Sequence, residues 1–176
     1  MLNRYKLLPQ DLSWIRLKLR RDNPFNNCSE LVLFMTNKKL NKGSSGQNRK
    51  ASEDYLEKYR QKDGVSQTLS GLLYRMVEPG NGSIPAMSDS VVVNQRISLV
   101  NGKVIADTYK AGMPDEFSMR EAIAGIQEGL QLMQEGGRCE FVVPSDLAWG
   151  KRGVGDKIGP NAVLIFDVRL MKVKFG

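Results

Sequence analysis

The carboxy-terminal run 162–173 alternates apolar and polar residues through Leu164, Phe166, Val168, Leu170 and Val173. A period of two is the mark of a half-buried strand. Three earlier stretches read as strands from their β-rich, apolar content and the breakers that follow them. Residues 71–77 end in Glu78-Pro79-Gly80-Asn81-Gly82, residues 90–100 carry Val91, Val93, Ile97 and Leu99, and residues 140–143 stop at Pro144. Residues 103–105 and 116–119 are shorter strand candidates. Asn101-Gly102 reads as a hairpin turn, since both residues tolerate positive φ. Residues 107–115, broken by Gly112 and Pro114, read as an irregular loop. Helical spacing occurs at 124–133, where Ile126, Leu130 and Met133 recur before Gly136-Gly137. A second short helix is expected over 52–62, with Ser52 as N-cap, Glu53 and Asp54 in the first turn, Tyr55, Leu56 and Tyr59 on one face, and Gly64 as the stop. One helix among about five strands implies an α+β fold, a mainly antiparallel sheet wrapped around a single short helix.

The amino-terminal part behaves differently. Residues 1–34 have no periodicity, and their one apolar run, Leu31-Val32-Leu33-Phe34, is short, far from the terminus and followed by no small-residue cleavage site. Residues 35–50 are polar, basic and rich in Gly, Ser and Asn, as a flexible leader is. The expected organisation is a basic, flexible extension over 1–50, a helix within 51–64 and a folded domain over 65–176. Met35 opens the regular part and reads as the native start, with 1–34 an upstream extension. No apolar run approaches the roughly 18 residues of a membrane span, and the expected compartment is the cytoplasm.

Charge sharpens this division. The formal net charge is +7, and all of the excess precedes Val65: residues 1–34 carry six basic against three acidic side chains, 35–64 eight against four, and 65–176 twelve against twelve. A solvated tail is the plain reading. The sharper one is an arm, residues 35–50, that docks on RNA, a ribosome or anionic lipid, although no aromatic-interleaved nucleic-acid motif accompanies it.

Candidate chemistry is narrowed by what is missing. The chain has no histidine, which excludes His-based general-base catalysis and His metal ligation. Cys28 and Cys139 do not make a metal or redox spacing, and Cys139 lies in an apolar strand pattern that predicts a buried thiol.

The stretches GVSQTLSGLLYRMVEPGNG, DSVVVNQRISLVNGKVI, EGLQLM, VPSDLAWG and IGPNAVLIFDVRLMKV follow one another over about 110 residues with little slack. In order and spacing, residues 65–176 resemble an FKBP-type prolyl isomerase domain, most like the bacterial branch that includes the macrophage infectivity potentiator. The resemblance implies an FKBP-like fold, rotation about Xaa-Pro bonds of polypeptides, a role in protein folding as a chaperone, and no cofactor or metal. Such catalysis needs neither a nucleophile nor a proton relay. An apolar, water-poor cradle with a few placed hydrogen bonds favours the twisted amide midway over a barrier of about 18–20 kcal/mol.

Carried over by position, the resemblance places Phe117, Ile123, Trp149 and Phe166 in the peptide pocket, with the Ile123 N–H as donor to the bound carbonyl. Trp149 stands where the family usually has tyrosine, and its indole N–H donates but does not accept. Other positions depart. Gln95 replaces an aromatic near the centre of the hairpin, Ile105 an aromatic after the turn, Ala106 a carboxylate, and Ile126 a tryptophan on the helix. Asp107 is a candidate substitute carboxylate. It points to the opposite face of a regular strand, unless a bulge brings it back. Taken alone, Phe117, Ile126 and Phe166 read as core, whereas an aromatic in the Ala148-Trp149-Gly150 loop reads as a lining residue. Each lost aromatic contact costs about 0.5–1.5 kcal/mol, so reduced turnover is expected, and a module that binds polypeptide without turning it over is the alternative. The long amino-terminal helical region through which potentiator-type relatives dimerise is not visible in the sequence, and a monomer is expected.

Overall fold

A computed structural model describes residues 45–176; Cys28, Met35 and most of the basic arm lie outside the described residues. In chain order these form α1 (Ser45–Arg60), β1 (Val65–Gln67), β2 (Leu73–Glu78), β3 (Ser90–Leu99), β4 (Val104–Asp107), the one-turn helix α2 (Thr108–Ala111), β5 (Asp115–Ser118), α3 (Ala124–Leu130), β6 (Arg138–Val143) and β7 (Leu164–Lys174). The strands make one sheet in the order β1-β2-β6-β7-β3-β4, and β5 also pairs with β3. Every pairing is antiparallel. Strands β5 and β4 share one side of β3, β5 along residues 90–93 and β4 along 96–98.

The register sorts side chains onto two faces. Tyr74, Phe141, Phe166, Ile97 and Ala106 form one cross-strand row on the inner face, where they join Ile126 and Leu130 of α3 in the main core. Leu73, Val142 and Ile165 form the neighbouring row on the outer face, and there Tyr55, Leu56 and Tyr59 of α1 cover them. The period of two breaks between Leu170 and Val173, which a regular strand would turn to opposite faces. Register shifts at that point, with Val92 opposite Lys172 and Val93 opposite Leu170. Met171 is left over as a bulge, and Val173 returns to the inner face.

Helix α3 lies flat on β6 because two glycines four residues apart face it. A methyl at Gly125 would come within 2.5 Å of Val143 Cγ1, and one at Gly129 within 2.7 Å of Phe141 Cε1.

Three expectations need correction. Helix α1 starts at Ser45, so residues 45–50 are helical rather than part of a flexible leader, and Ser52 is an interior, buried residue rather than an N-cap. The segment after β4 is not irregular throughout. Asp107 caps α2, its carboxylate accepting the Lys110 N–H at 3.0 Å, and Gly112 closes the turn at φ 67°. In the β3–β4 hairpin only Gly102 takes positive φ, at 80°. The turn is closed by the Gly102 N–H on Leu99 O and the Leu99 N–H on Lys103 O, both at 2.9 Å.

Candidate functional site

Phe117 from β5, Ile105 and Ala106 from β4, Ile126 from α3, Trp149 from the loop after β6 and Phe166 from β7 belong to one buried cluster, with the half-buried Ile123 packed against it. Exposure within the cluster is graded. Leu130, Phe141 and Leu164 are fully buried, while Ile105, Ala106, Phe117, Ala122 and Trp149 retain 5–9%. These five residues therefore mark the margin where the apolar interior meets solvent. Phe166 and Ile126, at 3% and 4%, stand deeper and serve as its floor.

Local structure explains how each reaches the margin. Ile97 pairs with Ala106 and Ser98 with Val104, so Ile105 is an extra residue in β4. This bulge turns both Ile105 and Ala106 inward. The bulge thus occurs two residues before Asp107 and leaves Asp107 on the outer side, paired with Arg96. Its carboxylate accepts from Arg96 Nε at 2.8 Å and from the Lys110 N–H. Burial raises the pKa of this carboxyl, but the Lys110 N–H and the Arg96 guanidinium outweigh it, and the net shift is downward. Asp107 is therefore a helix cap, and as a substitute carboxylate for the pocket it is ruled out by its direction.

Because its folded-state pKa is depressed, the contribution of Asp107 is present above the unfolded value of about 4 and is lost as pH falls through the folded value. Asp107→Ala should cost about 0.5–2 kcal/mol as a lost cap. Urea titrations should show that difference constant from pH 5 to 8 and shrinking toward pH 2.

The inward polar group is a different one. Gln95 is buried on the inner face of β3, and its Nε2 donates to Asp115 Oδ2 at 2.9 Å. Its backbone N–H donates to Thr108 Oγ1 at 2.7 Å. Asp115 lies two residues from Phe117 on β5, hence on the same face. A carboxylate thus reaches this edge from β5 rather than from β4. Nothing in the local pattern of Asp115 distinguished it from a loop charge, because its partner is twenty residues away.

Ile123 ends the turn before α3 in an extended conformation, and its carbonyl accepts the N–H groups of Ile126 and Gln127, both at 2.9 Å. Its own N–H has no acceptor among the described residues. Trp149 follows a 3₁₀ turn after Pro144. Gly150, at φ 55°, sends its N–H back to Ser145 O at 2.7 Å, and Trp149 O accepts the Gly153 N–H. Val154 and Ile158 exchange hydrogen bonds at 2.9 and 3.2 Å to make a small flap whose side chains join the same cluster. Sequence reasoning missed these two. The available signal was a pair of apolar residues in an otherwise polar, glycine-rich loop.

The model of the FKBP-type peptidyl-prolyl cis-trans isomerases matches residues 82–171. The chain belongs to this family. A second model, for the domain amino-terminal to such isomerases, matches residues 25–76 and so runs across Met35 and through α1. Among relatives, the probable FKBP-type isomerase FkpA of Neisseria meningitidis is 41% identical over 132 residues, 75% of this chain and 48% of that protein. The outer membrane protein MIP of Legionella longbeachae is 41% identical over 139 residues, 76% of this chain and 60% of that protein. The crystal structure of FkpA from Escherichia coli superposes with a TM-score of 0.72 at 40% identity, over 74% of this chain and 61% of that one. The chain thus spans about half the length of the FkpA proteins it matches. Similarity at this level makes the antiparallel, α3-wrapping sheet an FKBP fold, as the resemblance implied, with α1 as an addition on its outer face.

Proposed function

We propose that this chain catalyses cis–trans isomerisation of Xaa-Pro bonds in polypeptides, through the margin formed by Ile105, Ala106, Phe117, Ala122 and Trp149, with Ile123 packed beside it, over a floor of Ile126 and Phe166. The observation that carries this reading is the N–H of Ile123, which has no acceptor among the described residues and lies beside the apolar cluster. A proline ring entering the cluster would bring a peptide carbonyl to that donor. Rotation about the amide removes its resonance, and surroundings poor in water stabilise the less polar twisted state relative to the planar one. No proton moves to the protein, so the lack of histidine is no obstacle.

The replaced residues point to a slower enzyme. Ile105 and Ile126 keep the margin and floor apolar but remove flat ring surface. The Gln95–Asp115 pair sets a polar edge where an aromatic would have packed. Losses of about 1.4 kcal/mol per tenfold, incurred at several of these positions, support a rate tens-fold to a thousandfold below that of an aromatic-lined pocket.

A protease-coupled assay on a proline-containing peptide tests the proposal. The wild-type chain should accelerate isomerisation, and the Phe117→Ala, Trp149→Ala double variant should not. Equal rates for the two would leave a polypeptide-binding module without turnover.

A further inference from the structure

Helix α1 lies on the outer face of the sheet, away from the apolar margin, yet one of its side chains reaches the loop that carries Trp149. Ser52 is 5% exposed. Its hydroxyl donates to Asn161 O at 2.9 Å and accepts the Val163 N–H at 3.1 Å. One turn earlier, Asn48 Nδ2 donates to Pro160 O at 3.1 Å. Asn161 is the one non-glycine at positive φ among the described residues, at 55°, a conformation that carries strain and persists only where its surroundings hold it. Its own N–H donates to Gly150 O at 2.9 Å. A continuous path therefore runs from the Ser52 hydroxyl through the Asn161 peptide to the residue following Trp149.

We infer that Ser52 is a positioning residue for Trp149, and that α1 is a working part of the site rather than only a cover for the sheet. The inference rests on the isomerase reading for its consequence in turnover, but not for its structural content. A hydroxyl that donates to Asn161 O and accepts the Val163 N–H holds this segment, just before β7, in one conformation. Removing it releases the Asn161 carbonyl and lets the left-handed residue relax, which loosens Gly150 and the indole beside it. The other end of α1 provides the control. Tyr59 is anchored through its hydroxyl to Glu140 Oε2 at 3.0 Å, on β6 rather than on the loop, and lies in the outer-face cluster.

The test uses the full chain carrying Trp14→Phe, so that Trp149 is the sole tryptophan. Ser52→Ala and Tyr59→Phe are compared for Tm, for acrylamide quenching of Trp149 and for kcat and KM. Both variants should lower Tm. Only Ser52→Ala should raise quenching, and it should lower kcat by about three- to tenfold, well inside the roughly hundredfold that a misplacement of about 1 Å can cost. Should Ser52→Ala fail to fold, Asn48→Ala, which loses the neighbouring contact, should move quenching in the same direction. Quenching that stays at the control value in the folded variant overturns the inference. A wild-type chain without turnover defeats the isomerase reading alone, because quenching still reports the loop.

Discussion

Trp149→Ala should lower kcat/KM for a proline-containing peptide by about a hundredfold, equivalent to about 2.7 kcal/mol of transition-state stabilisation. The indole is the largest side chain at the margin and is 91% removed from solvent even without a ligand. An aromatic of this size buries on the order of 150–250 Å², and the gap left by alanine would admit water beside the rotating amide. The same change removes packing from the main cluster, so stability should also fall by about 3 kcal/mol, and rates must be compared where both proteins are fully folded by circular dichroism. Trp149→Tyr separates the two effects. It keeps a ring and a hydrogen-bonding tip, and its kcat/KM should stay within about threefold of wild type, under 1 kcal/mol. A hundredfold loss in the tyrosine variant would mean that the indole itself, not an aromatic wall, is required.

Gly129→Ala should destabilise the fold by about 1–3 kcal/mol, against the usual sign for such a change in a helix. In an exposed helix, alanine gains about 1 kcal/mol over glycine. Here the added methyl would meet three ring atoms of Phe141 at 2.7–2.9 Å, and Phe141 is fully buried in the centre of the sheet. The ring has no free direction in which to move, so α3 must lift from β6. Lifting would also displace Ile126 and the N–H of Ile123, and kcat/KM should fall with stability. Denaturant midpoints and assay rates on the same preparation check both parts. A stabilised Gly129→Ala with normal turnover would show that helix and strand are less closely seated than the geometry gives.

Legibility in the sequence followed the range of the forces involved. Strands β3 and β7 were readable because each alternates against a buried face, β2 and β6 because short apolar runs end at Pro79-Gly80 and Pro144, and α3 because Ile126 and Leu130 recur at helical spacing before a glycine pair. The start of α1 was not, since residues 45–50 contain no apolar periodicity. Its early turns are instead fastened by Asn48 and Ser52 to residues more than one hundred positions away. Helix α2 is a single turn, too short to show a period, and depends on the Asp107 cap. Phe117, Trp149 and Phe166, placed by motif order, do share one buried cluster. The inward turn of Ile105 required a bulge that counting by twos does not reveal, and the Gln95–Asp115 pair joins two strands that only the folded sheet brings together.

On the proposed reading this margin turns over Xaa-Pro bonds instead of merely holding them. The most direct measurement is two-dimensional NMR exchange spectroscopy on a short proline-containing peptide, with the protein added in catalytic amount. The uncatalysed exchange takes on the order of tens to hundreds of seconds and gives no cross-peaks on the mixing timescale. Cis–trans exchange cross-peaks should appear on adding the wild-type chain and be abolished in the Phe117→Ala, Trp149→Ala variant. Peptide shifts that titrate with protein while the cis and trans signals remain unconnected would contradict that reading.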